Sequence, residues 1–124
     1  MNFRYIAIGA LVLGASLVLA RGIVYQATAT AGVAKFKVKY KEDNRTVYEG
    51  QLESEGEKLP ANADYTVRVD GTWDYPVTTN AFGRFSLRAV YNNAANHPNV
   101  VNGTQAQLIA RDGTIVMTGT FAQR

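Results

Sequence analysis

From residue 33 onward, apolar and polar residues alternate with a period of two, which marks half-buried strands and not helices. AKFKVKYK, residues 34–41, is the clearest run, with Ala34, Phe36, Val38 and Tyr40 on one face and Lys35, Lys37, Lys39 and Lys41 on the other. VYEGQLES, starting at Val47, supplies a partner. An antiparallel hairpin with Tyr40 opposite Tyr48 sets Val38 against Gly50 and Phe36 against Leu52. The same register sets Lys39 against Glu49, Lys37 against Gln51 and Lys35 against Glu53 on the other side. Opposite charges across neighbouring strands favour it. The lysine stripe therefore reads as a solvated strand face neutralised by its neighbour, in preference to a patch for phosphates or lipid headgroups.

Two further hairpins follow. In DYTVRVDGTWDYPVT, 64–78, the turn Asp70-Gly71-Thr72 pairs Val69 with Trp73, Val67 with Tyr75, Tyr65 with Val77 and Arg68 with Asp74. In QAQLIARDGTIVMTGTF, 105–121, a two-residue Asp112-Gly113 turn pairs Ala110 with Ile115, Ile109 with Val116, Leu108 with Met117 and Ala106 with Gly119. RFSLRAVY, 84–91, alternates in the same way. The spacing predicts strands at 33–41, 47–54, 64–69, 73–79, 84–91, 105–111 and 114–121. The expected fold is all-β: an antiparallel sandwich of about seven strands, with an Ig-like arrangement or a small barrel as alternatives. ESEGEKLP, 53–60, reads as a crossover between the sheets.

The first 31 residues break this pattern. After Arg4, Tyr5–Ala20 is an uncharged run, the layout of a secretory signal. Small-x-small sites end at Ala20, Ala29 and Ala31, and cleavage after Ala31 is favoured. The alternative is an uncleaved signal anchor, an N-terminal hydrophobic helix. A spanning helix needs about 20 apolar residues, and Arg21 interrupts this one early. The expected organisation is residues 1–31 as signal peptide or anchor and 32–124 as one β-sandwich domain. That domain would be exported to the periplasm, cell surface or extracellular space, or held outside the cytoplasm by a retained helix. Membrane contact would then run through residues 5–20 alone.

The charge changes little. The chain of 124 residues carries a net charge of +3 and a pI of about 9.3. Arg4 and Arg21 lie in the leader; taking them from the 13 basic residues leaves eleven against ten acidic ones. A nearly neutral domain lacks the footprint of a nucleic-acid binder, and none is expected as a partner.

LPANADYTVRVDG, TNAFGRFSL and DGTIVMTGTF resemble a pattern of small secreted bacterial β-domain proteins: LPxxxxYTVxVDG, then TNAFGRxxL, then DGxxVxxGTF. The resemblance covers residues 59–121. It implies a small exported β domain and carries no catalytic residues.

Candidate chemistry is sparse. There is no cysteine, hence no disulfide, thiolate metal site or thiol nucleophile. His97 is the lone histidine. Ser54 and Ser86 lack a nucleophile-elbow setting. Glu49, Glu53, Glu55 and Glu57 fit an outer strand face and a connector better than a paired-carboxylate centre. Asp70, Asp74, Asp112 and Asn80 lie near turns without calcium-loop spacing. No catalytic residue, cofactor or metal ligand is therefore assigned, and the chain is not read as an enzyme. Trp73 and Tyr75 are residue types that anchor interfaces. YNNAANHPNVVNG, 91–103, is a long connection with five asparagines, and long loops are often functional. Trp73, Tyr75, Asn96, His97 and Asn99 form the candidate interaction surface, for a protein partner or for self-association. The expected role is a structural or interaction module of the cell envelope or extracellular matrix. The alternatives are a helix-anchored accessory subunit of a membrane complex or filament, and a small ligand- or metal-binding secreted protein.

Overall fold

The computed structural model describes residues 22–43 and 47–124. It is an all-β fold of nine strands: β1 (Ile23–Ala31), β2 (Ala34–Asp43), β3 (Glu49–Glu57), β4 (Asp64–Val69), β5 (Trp73–Thr78), β6 (Phe85–Tyr91), β7 (Gln105–Ala110), β8 (Ile115–Thr120) and β9 (Ala122–Gln123). They form two antiparallel sheets, one ordered β6-β3-β2-β1-β9 and the other β5-β4-β7-β8. The hydrophobic helix expected before the domain falls outside the described residues.

Alternation builds the core. Phe36, Val38, Tyr40 and Leu52 from the first sheet meet Tyr65, Val67, Val69, Ala106 and Leu108 from the second, all buried. Burying each large apolar side chain contributes about 1.5–3 kcal/mol. Ser54 lies opposite Val38 in this core and donates its hydroxyl to the Lys37 carbonyl at 2.9 Å. A buried hydroxyl without such a partner would be costly.

The hairpin β4–β5 has the register that its side chains predict, with Val69 opposite Trp73, Val67 opposite Tyr75 and Tyr65 opposite Val77. Arg68 grips Asp74 through two hydrogen bonds of 2.7 and 3.0 Å. The guanidinium holds the Asp74 carboxyl below the ordinary carboxylate range.

Nine strands stand where about seven are expected, β1 and the two-residue β9 being the additions, and four features differ in detail. The first strand is not at residue 33. Ile23–Ala31, allotted above to the leader, lies between β2 and β9, with Ala27 buried opposite Val38. Its small residues, ATATA, give too little hydrophobic contrast for the alternation to be seen.

The second is the β2–β3 register. Tyr40 faces Leu52 and not Tyr48, and Lys35, Lys37 and Lys39 face Glu57, Glu55 and Glu53. The shift is four residues, an even number, so each side chain keeps its expected face. Third, β3 runs on through Glu57, so the crossover is shortened to 58–63. Fourth, the β7–β8 ladder slips between Leu108 and Ile109, pairing Ile109 with Ile115. The Gly113 amide donates to the Ala110 carbonyl at 2.9 Å and Gly113 has φ +93°. This is a three-residue loop with a bulge, where a two-residue turn is expected.

Candidate interaction surfaces at the two ends of the sandwich

Antiparallel order places connections at two ends. The β2–β3, β4–β5 and β6–β7 connections share one end with the start of β1. The β1–β2, β3–β4, β5–β6 and β7–β8 connections share the other.

The first end is aromatic. Tyr40 is fully buried on β2, and its hydroxyl lies 2.6 Å from that of Tyr48. Gly50 makes this possible, since a methyl there would collide with both hydroxyls. The Tyr48 ring stacks on His97, with centroids 4.3 Å apart. His97 Nδ1 is 2.8 Å from the Pro98 carbonyl. A carbonyl only accepts, so Nδ1 carries the proton in this contact. The Glu42 carboxylate lies 3.9 Å away. Across the gap, the Tyr75 and Tyr91 hydroxyls are hydrogen-bonded, and Trp73 meets Tyr91 edge-on at 5.5 Å. Burial raises the hydroxyl pKa of Tyr40, Tyr48 and Tyr75 far above the ordinary phenol value.

The structure thus gathers Trp73 and Tyr75, both on β5, with His97 of the β6–β7 connection at one end. They pack against Tyr91 and Tyr48, which the sequence reading did not single out. Trp73 and Tyr75 face the core and are half-buried. Asn96 and Asn99 are exposed; their backbones close the loop, with the Asn96 amide on the Asn93 carbonyl and Thr104 Oγ1 on the Asn99 carbonyl. Pro98 and Val100 are buried and pin residues 92–104 between the sheets. The histidine ring is a strut of this connection, stacked on one side and bonded at Nδ1.

The second end is held by polar groups. Thr79, 2% exposed, donates its hydroxyl to the Pro60 carbonyl at 2.7 Å and accepts the Ala63 amide at 2.8 Å. Asn80 Oδ1 accepts the amides of Phe82 and Arg84 at 2.9 and 3.0 Å. The Asn80 amide donates to the Arg84 carbonyl at 2.8 Å, and the Leu59 amide to the Gly83 carbonyl at 3.1 Å. Gly83 has φ +74°, and a side chain there would strike the Leu59 carbonyl. On this fixed loop Phe82 is 82% exposed, the most exposed large apolar residue described. At this end a groove of about 690 Å³ is lined by residues of β1, β2, β3 and β6, among them Thr30, Lys35, Glu57 and Phe85, together with Thr78 and Asn80.

Phe82 and the groove were missed by the sequence reading. The available signal was TNAFGR itself: a phenylalanine inside an Asn-to-Gly turn has no strand face on which to be buried.

The acidic turn residues have structural partners. Asp74 is held by Arg68, Asp112 accepts the Thr114 amide at 2.9 Å, and Asp70 occupies a positive-φ turn position. Among the described residues, no group of three or more His, Cys, Asp or Glu is placed to hold a metal ion. Comparison with known proteins finds no matching family model, no matching curated protein and no matching solved structure.

Proposed function

We propose that the chain is an exported, non-enzymatic β-sandwich that acts as a structural or interaction module of the cell envelope or extracellular matrix. The observation that carries this reading is Phe82, held in water by a loop whose backbone is fixed at every turn. Exposing a phenylalanine gains nothing for folding. A rigid anchor loses little entropy on binding, which makes it effective at an interface. The histidine, the paired tyrosines and Thr79 are meanwhile occupied by contacts within the fold.

The strand β1 bears on export. Cleavage after Ala31 would remove a strand bonded on both sides, whereas cleavage after Ala20 leaves it intact. The mature chain is therefore expected to begin at Arg21. If the leader stays as an anchor, β1 starts next to it at the aromatic end, and Phe82 points away from the membrane. The intact mass of the natively expressed protein separates these forms. A mass starting at Gly32 would overturn both.

The module reading is tested by a photo-crosslinking amino acid at position 82 of the full chain. Covalent adducts in the envelope or extracellular fraction are expected. Absence of any adduct, or recovery of the whole chain from the cytoplasm, would sink the proposal.

A further inference from the structure

Strand edges are templates for further pairing, and natural sheets blunt them with proline, charge or short strands. Three edges of this sandwich are so protected. β5 carries Pro76 opposite Thr66, without the N–H that a new strand would need. β9 has two residues. β8 lies against β1, close enough that a methyl at Gly119 would sit 2.9 Å from the Thr28 carbonyl oxygen, so these strands shield one another. Among the described residues, the remaining edge is β6, seven residues with no proline, a single charge at Arg88 and no register irregularity against β3. Val90, on its outward face, is 54% exposed.

We propose that two copies of the chain pair through β6, antiparallel, about a dyad at Leu87, joining their five-stranded sheets into one. Side-chain charge disfavours the two neighbouring registers. With Leu87 on the dyad, Ser86 faces the partner's Arg88 and Phe85 faces the partner's Ala89; the ladder stops short of Arg84, whose amide and carbonyl are both held by Asn80. A dyad at Ser86 would set Arg88 against the partner's Arg84, and a dyad at Arg88 would set it against itself. Like charges directly opposite are destabilising. An even residue sum keeps the two cores on the same side of the joined sheet.

The same register directs the loop before β6 toward the partner's Tyr91. The loop that carries Phe82 then lies beside the partner's Tyr91, the ring on which Trp73 packs. One isologous contact brings the exposed Phe82 toward the half-buried Trp73–Tyr91 pair of the partner subunit. Two-fold contacts of this kind are the commonest in homo-oligomers. The proposal rests on the reading of the chain as an interaction module and names its partner as a second copy.

The chain has no cysteine, so engineered disulfides report without background. Two differently tagged full-length chains, one Ser86→Cys and one Arg88→Cys, are co-expressed, fractionated and mildly oxidised. Directly opposite positions satisfy disulfide geometry and diagonal ones do not. The mixed pair is therefore expected to give a covalent dimer at least about tenfold more than either variant alone. Ser86→Pro, which removes an edge donor, is expected to shift the mass by light scattering from dimer to monomer with an unchanged circular dichroism spectrum. Equal crosslinking from single and mixed variants, or none from the mixed pair, overturns the dimer. A crosslinked band of another mass also overturns it while leaving the module reading in place. That reading falls separately, on absence of adducts from position 82.

Discussion

At the aromatic end, the Tyr75 and Tyr91 hydroxyls bridge the two sheets, while Tyr40 bonds Tyr48 within the β2–β3 hairpin and Tyr48 stacks on His97. At the groove end, Thr79 and Asn80 fix the connections with hydrogen bonds to backbone. The two solutions leave different surfaces. Rings large enough to span the gap are consumed by it, so the free apolar surface of the aromatic end is aliphatic, at Val47 and Val101. Small polar side chains fix the loop without covering it, and Phe82 is left free. The lesson is that the end with more aromatic residues spends its rings on packing, whereas the groove end leaves one ring, Phe82, in solvent.

The largest expected effect is on the aromatic end. Tyr40→Ala empties a fully buried ring site and is expected to cost about 3–5 kcal/mol. Tyr40→Phe keeps the ring but leaves the Tyr48 hydroxyl without its partner, and is expected to cost about 1–2 kcal/mol. Urea titration of both variants checks this. If Tyr40→Phe is neutral, the hydroxyl pair does not hold this end and the comparison fails there.

Next comes the groove end. Thr79→Val keeps the shape but strands the Ala63 amide and the Pro60 carbonyl, and is expected to cost about 1–3 kcal/mol. The informative readout is amide hydrogen exchange at Phe82 and Arg84. Faster exchange there with β7 unchanged would show that Thr79 fixes the loop; uniform loosening would show that it acts through the whole core.

The tyrosines also set a pH limit. Their hydroxyl pKa values are raised in the folded chain, chiefly by burial. The folded state therefore binds more protons than the unfolded one above the ordinary phenol value of about 10. Stability is expected to be intact below that value and to fall as pH rises beyond it. The phenolate absorbance of Tyr40, Tyr48 and Tyr75 should appear together with loss of the circular dichroism signal. Ionisation of all seven tyrosines while the fold persists would mean that the aromatic end opens to solvent independently.

How far these ends could be read from sequence depends on contrast and on redundancy. Hairpin β4–β5 was legible to the residue because Arg68 and Asp74 occur once each and match in one register. Hairpin β2–β3 was legible in face but not in register. Its lysines and glutamates repeat every second residue, so a slide of four positions exchanges one set of favourable pairs for another. Strand β1 was hidden because alanine and threonine differ too little in hydrophobicity beside an apolar leader. Trp73, Tyr75 and His97 could be named from sequence, but their gathering at one end depends on a crossover between sheets that local patterning does not encode. Phe82 was passed over for a related reason: its exposure is set by Thr79 and Asn80 bonding to Pro60, Ala63 and Arg84, contacts that span the β3–β4 and β5–β6 connections.

The smallest expected change in stability is the sharpest test of the comparison. Phe82→Ala removes a ring that is 82% exposed from a loop fixed by other groups, so unfolding free energy is expected to stay within about 0.5 kcal/mol. The same substitution is expected to weaken association of the chain, because the ring's apolar area is buried only there. Gly83→Ala, one residue away, is expected to do the reverse. It forces a side chain into positive φ and against the Leu59 carbonyl, costing stability directly. Measured side by side by urea titration and light scattering, the two variants separate binding from folding within one turn. If Phe82→Ala destabilises the isolated chain as much as Gly83→Ala does, Phe82 is packed in solution, and the groove end is structural after all.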